Sequence, residues 1–322
     1  RRHRRGGMDR AHPIRLHHSP NSRIPYKIMI TISNDTLKIT LHTPDGAEGY
    51  YRGTRFDWAG VFRSIEYKGC NYTEEWFENY SPVMHDAVCG PAEEFSPVGI
   101  EVGAGEPFLK IGVGMLERME GDYDRFKLHF ILDLGRREME VKTDSVLFGH
   151  CIDSVMGYGY EYFKEIRLTG ESSFSICHRL KNTGVKPLSG DVYNHNFFTL
   201  GMLETGPSRR IDFPFKPEGD WRAVYTQVGF TESGIRFTRT LEKGESVYSG
   251  NIHKEGCGMD GSPNAFGLFE DHTGRGVRMN CKENMFKTVF WSNHRIACLE
   301  PYIGFDIAPE ETFEFDIEYN LV

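Results

Sequence analysis

Hydrophobic and polar positions alternate over much of the chain. Period-two runs occur at Phe126, Leu128, Phe130 and Leu132, at Phe174, Ile176, His178 and Leu180, and at Phe313, Phe315, Ile317 and Tyr319. Such alternation predicts half-buried strands. Lys27–Ser33 and Thr36–His42 read as an opening hairpin across Asn34-Asp35, and Ser172 to Leu180 as a strand ending in the turn Asn182-Thr183-Gly184. Gly- or Pro-bearing turns recur between the runs, as at Pro44-Asp45-Gly46, Glu242-Lys243-Gly244 and Asp271-His272-Thr273-Gly274. Many short strands with little helix predict an all-β protein, a large antiparallel β-sandwich. The one helical candidate is short, near Thr73–Asn79. No linker divides residues 29–322, which read as a single domain.

Composition sharpens this picture. A chain of 322 residues, 39% hydrophobic and 13% aromatic, can bury a large core. Residues 1–28 carry eight Lys and Arg against Asp9, a charge of +7, so the rest of a chain of net −8 carries −15. The first 28 residues have no apolar periodicity and read as a basic disordered leader or an extension, with Met29 a candidate start. An acidic body argues against nucleic acid or an anionic membrane as the main partner. There is no secretory signal and no stretch of about 18 uncharged apolar residues. Seven widely spaced cysteines without a C-x-x-C pair read as reduced thiols of a cytoplasmic protein, mostly buried. Exposed sheet edges could pair two copies into a homodimer, and nothing marks which edge.

Candidate chemistry lies in four stretches. Arg52, Arg55, Asp57 and Trp58 fall within seven residues; an Arg fork can bond two sugar hydroxyls while Trp stacks on the ring. An edge strand with solvated charges explains the same composition. Glu93 and Glu94 follow a Gly-Pro break and read as a loop, and as neighbours they would point apart rather than form a two-carboxylate pair. Tyr193-Asn194-His195-Asn196-Phe197-Phe198 sets a titratable ring among amides and aromatics, suited to a polar ring-shaped ligand and one proton transfer. Ile296 to Leu299 delivers Glu300 to a strand end before Pro301, where desolvation should raise its pKa towards general-base use. His178 falls on the apolar parity of its strand and reads as a core or cleft-wall histidine. No phosphate-cradling glycine loop, serine elbow or zinc pair occurs, so no cofactor or metal is indicated.

These residues add up to a resemblance. Y-N-H-N-F-F-T-L-G around His195 resembles the N-H-x-Y-F-N-L stretch of aldose 1-epimerases, the galactose mutarotase-like proteins. R-L-K-N-T-G-V-K-P-L resembles their lead-in, A-C-L-E-P-Y the segment carrying their catalytic glutamate, and I-A-P-E-E-T-F-E-F-D-I-E-Y their closing strand, with Glu310 at the usual glycine. Two departures stand out. Gly53-Thr54-Arg55-Phe56 only partly matches the family's early arginine motif, and Gly90-Pro91-Ala92-Glu93-Glu94-Phe95 has no histidine where the family has an H-G-G loop.

The resemblance implies the galactose mutarotase-like supersandwich fold, a sugar as partner and no cofactor. It also implies acid–base ring opening of an aldose. Glu300 takes the anomeric proton, His195 protonates the ring oxygen, and the two face one pocket from opposite sides. Arg55, Glu94, Asn194, Trp58 and Tyr302 are the expected substrate contacts. Two other readings stand beside it: an epimerase-fold enzyme on another sugar, such as a hexose phosphate, and a carbohydrate-binding protein that has lost turnover.

Overall fold

The computed structural model describes residues 29–257, 264–283 and 285–322. The basic residues 1–28 lie outside the described part of the chain. No helix occurs among the described residues, and 23 strands form four antiparallel sheets.

Local chemistry explains the ends of these strands. The opening hairpin pairs Met29–Ser33 with Leu37–His42. Its turn closes because the Asn34 side-chain carbonyl accepts from the Thr36 and Leu37 amides at 3.0 and 2.8 Å. The alternation at 174–180 and 313–319 becomes two neighbouring strands, Ser173–Asn182 and Thr312–Leu321, in the middle of a ten-stranded sheet. Phe174 lies opposite Tyr319 with the rings stacked at 4.9 Å, and Ile176 lies opposite Ile317.

Two expected elements take another form. At Thr73–Asn79 there is no helix, because the segment's donors are engaged elsewhere. The Thr73 amide donates to the Asn71 side chain at 3.1 Å, the Glu74 amide to Thr199 Oγ1 at 3.0 Å, and the Trp76 indole to Val88 O at 2.9 Å. The alternation at Phe126–Leu132 is not a buried strand. Only Ile131–Asp133 pairs, while Phe126, Leu128, Phe130 and Leu132 are all exposed. Asp124 breaks the run with an Asx turn, accepting from the Phe126 amide at 3.0 Å.

A six-stranded sheet positions the site. Its order is Pro217–Trp221, Ser246–Lys254, Lys287–Asn293, Ala297–Ile307, Leu188–Phe197 and Gly90–Phe95. Successive side chains on a strand face opposite ways. One face, carrying Phe95, Val192, Leu299, Ile303 and Phe290, joins the main core shared with the ten-stranded sheet. The other face carries aligned cross-strand rows. Glu94, Tyr193, Tyr302 and Lys287 make one row, each opposite the next. Trp291 lies between Tyr248 and Cys298 in another. Between these rows the register places His195 beside Glu300, which is itself opposite Val289.

Glu93 and Glu94 therefore belong to a buried strand and not to a solvated loop. The Gly-Pro break is its entrance: Gly90 sits at φ 66°, and a Cβ there would come within 2.9 Å of the Phe62 ring. Glu300 also differs from expectation. The strand runs through Pro301 to Ile307, so Glu300 lies in mid-strand. All seven cysteines are free; Cys89, Cys281 and Cys298 are buried and Cys257 is exposed.

Candidate active site

The row-bearing face of the six-stranded sheet floors a cleft of about 380 Å³. Tyr193, His195, Phe197, Glu300 and Tyr302 come from the neighbouring strands Leu188–Phe197 and Ala297–Ile307, and Tyr248, Lys287 and Trp291 from the next two, Lys287–Asn293 and Ser246–Lys254. Segments outside the sheet close the cleft with Arg55, Trp76, His85, Asp86, Arg125 and Phe126.

His195 and Glu300 meet in this floor, with Nε2 and Oε1 3.2 Å apart. They stand side by side on neighbouring strands rather than facing one another across the cleft. The imidazole is held flat against Phe197, with centroids 3.8 Å apart and an interplanar angle of 6°. The edges of Phe56 and Trp291 lie at 6.0 and 5.8 Å. This packing fixes the ring orientation and excludes water. Burial, and then the Arg55 charge, push the His195 pKa well below the ordinary imidazole range. Burial pushes Glu300 up to about 7, against the opposing pull of Arg55. The desolvation expected for this carboxyl is present, and it arises in mid-strand. Neutral imidazole and protonated carboxyl are both favoured, so on the acid side of neutrality the pair holds one proton, and it loses that proton at about 7.

Glu94 anchors the neighbouring row from behind the floor. Its Oε2 accepts from Arg55 Nε at 2.8 Å and from the Tyr193 hydroxyl at 2.5 Å. Lys110 Nζ donates to Oε1 at 3.3 Å, and Arg125 Nη1 lies 3.4 Å from the same oxygen. Burial alone would raise this carboxyl, but Lys110, Arg55 and Arg125 outweigh it and hold it at about 2. Arg55 also donates to the Tyr193 hydroxyl at 2.9 Å. Tyr193 stacks on Tyr302 at 4.3 Å, which fixes the Tyr302 ring at the cleft.

The structure thus gathers His195, Glu300, Arg55, Glu94 and Tyr302 around one cleft. It does not bring Trp58 or Asn194 there. Trp58 is buried in a secondary core, with its indole donating to Gly53 O at 2.7 Å and the Arg137 guanidinium 5.1 Å above its ring. The cleft tryptophans are Trp76 and Trp291. Asn194 neighbours His195 in sequence and so faces the opposite way, donating to Glu93 Oε1 at 2.8 Å in the inter-sheet core. His178 Nε2 donates to the same carboxylate oxygen at 3.1 Å, which makes it a buried core histidine. A histidine does reach the cleft from just ahead of the Gly90–Phe95 segment: His85, half-buried against Phe126 at 5.1 Å. Burial lowers its pKa, partly offset by Asp86. Arg125, Arg222 and Lys287 also reach the cleft, from positions whose spacing in the sequence gives no sign of it.

Comparison with solved structures agrees on the architecture. A galactose mutarotase-like protein from Lactobacillus casei matches with a TM-score of 0.56 at 12% identity, over 91% of this chain and 100% of that one. A galactose mutarotase-like protein from Clostridium acetobutylicum gives 0.55 at 11% identity, over 91% and 95%. The aldose epimerase homologue from C. elegans gives 0.52 at 13% identity, over 91% and 98%. The chain has the galactose mutarotase-like fold. No protein-family profile matches the sequence, and no curated protein sequence does either.

Proposed function

We propose that the protein is an isomerase that interconverts the α and β anomers of an aldose. The observation that supports this most directly is the one-proton pair of His195 Nε2 and Glu300 Oε1, 3.2 Å apart in a cleft walled by aromatic rings. The anomeric oxygen and the ring oxygen of a cyclic aldose share one carbon. Two side chains standing next to each other can therefore serve both oxygens.

The reactive arrangement is the other tautomer of the one-proton form, reached by moving the proton from Glu300 to His195 Nε2 and leaving Glu300 a carboxylate. Glu300 removes the proton of the anomeric hydroxyl as His195 protonates the ring oxygen. The bond between the anomeric carbon and the ring oxygen breaks, and the electrons left on the anomeric oxygen form the carbonyl. Rotation about the bond to the neighbouring carbon presents the other carbonyl face. Reclosure returns both protons and gives the opposite anomer. Trp291 offers a face for the sugar's C–H surface, and Arg55 and His85 offer hydrogen bonds to its hydroxyls.

Exchange between anomers at equilibrium, followed by two-dimensional NMR exchange spectroscopy on a panel of aldoses, tests this reading. His195→Asn is expected to slow saturable exchange by about 10²–10⁴-fold, the usual contribution of a positioned acid or base. Sugar binding without any exchange would support a binding protein instead.

The pKa directions fix the pH profile. Only the one-proton form of the pair has both a base and an acid. The last proton leaves at about 7, because Glu300 is raised rather than lowered. Thus kcat/KM should be flat on the acid side of neutrality and fall about tenfold per pH unit above it. A rate that keeps rising beyond pH 8 would contradict this assignment.

A further inference from the structure

We propose that the cleft selects aldoses bearing an anionic substituent, a phosphate or a carboxylate, and that Arg222 and Lys287 hold the charge. This rests on the anomer-exchange reading for the orientation of the sugar.

Four permanent cations line the cleft: Arg55, Arg125, Arg222 and Lys287. Arg55 and Arg125 are already committed to Glu94. Arg222 and Lys287 form no ion pair with any carboxylate among the described residues. Each instead lies over a tyrosine of the adjacent strand. The Arg222 guanidinium is 4.0 Å from the Tyr248 centroid, and the Lys287 ammonium is 4.5 Å from the Tyr302 centroid. The cross-strand pairing fixes both: Lys287 is opposite Tyr302, and the Arg222 amide donates to Tyr248 O at 3.1 Å. A tyrosine face orients a cation while leaving its N–H donors free for a ligand.

The carboxylates lining the cleft are Asp86 and Glu300. Glu300 is partly neutral at pH 7, and Asp86 interacts with His85 across 3.7 Å. Asp191 acts on Lys287 and Arg125 from farther along the same face, without an ion pair to either. An acidic protein thus keeps two cations, Arg222 and Lys287, in the cleft that carries the acid–base pair with no carboxylate bonded to them. Lys287 is one row from Glu300, an offset of about 7 Å for two residues along a strand. That is about the reach from an anomeric carbon across a pyranose ring to an exocyclic substituent. Charge at that distance binds the substrate without touching the reacting atoms.

The test compares glucose and galactose with glucose 6-phosphate and glucuronate, in binding titrations and in anomer exchange, for the wild type, Arg222→Gln, Lys287→Gln and the double variant. The wild type should prefer an anionic sugar, and its KM for that sugar alone should rise with salt. Each single variant should weaken anionic binding about tenfold, as loss of one charge-assisted hydrogen bond does. The double variant should lose the preference, while Lys287→Arg should keep it. A difference between phosphate and carboxylate identifies the substituent. Equal handling of neutral and anionic sugars, or a preference that survives in the folded double variant, overturns the inference and leaves anomer exchange standing. Charge-dependent binding without exchange on any sugar overturns the exchange reading and supports the inference. Binding of no sugar overturns both.

Discussion

Glu300→Gln is expected to reduce kcat for anomer exchange by about 10²–10⁴-fold, with a much smaller change in KM. The amide is nearly isosteric, can still bond His195 Nε2, and keeps the packing of a side chain that is 6% exposed. It cannot accept the anomeric proton. The lost interaction belongs to the transition state, so kcat and kcat/KM should fall together. Glu300→Asp separates chemistry from shape: it keeps the carboxylate but withdraws it by one methylene. Exchange kinetics at several sugar concentrations check both variants. A Gln variant with normal kcat and raised KM would reassign Glu300 to binding.

The second large effect concerns stability. Lys164→Met should cost about 3–5 kcal/mol, the range for removing one partner of a buried ion pair. Lys164 is bonded to Glu93, donates to Ala59 O at 2.8 Å and lies 3.7 Å from Asp57 Oδ2, all in the inter-sheet core. Without it, two buried carboxyls share no cation. The pH dependence has a definite sign. Burial opposes ionisation of Glu93, yet Lys164 and His178 hold it down at about 2. Its depressed pKa therefore stabilises the wild type at neutral pH, and that contribution fades as pH falls below about 4.5 towards 2. Urea unfolding at pH 7 and pH 4 should show the gap between wild type and variant narrowing on the acid side. A pH-independent gap would mean that lost packing, not charge, dominates.

The strands at 173–182 and 312–321 were legible because both keep one apolar parity against the same core. The run at 126–132 has the same pattern but fails as a strand, since Asp124 turns the chain and no sheet covers its apolar side chains. The pairing of His195 with Glu300 came from resemblance alone; neither composition nor spacing joins residues about a hundred positions apart. Parity could have removed Asn194, since neighbours in a strand cannot share a face. Nothing local distinguishes Trp58 from Trp76 and Trp291. Which tryptophan reaches the cleft depends on non-local packing: Trp76 lies flat on Phe197, with centroids 5.1 Å apart. Arg125 and Arg222 were illegible for the same reason, being placed by loops that have no periodicity.

The row arrangement of the cleft floor has a practical outcome for redesign. Residues 193, 195 and 197, together with 298, 300 and 302 and with 287, 289 and 291, form one addressable grid, while the intervening positions belong to the core. A mutagenesis library restricted to Tyr193, Lys287, Val289, Trp291 and Tyr302 would sample new sugar shapes without disturbing the inter-sheet packing. A single inserted residue in the Leu188–Phe197 strand would instead exchange the two faces, burying His195 and offering Asn194 to the ligand.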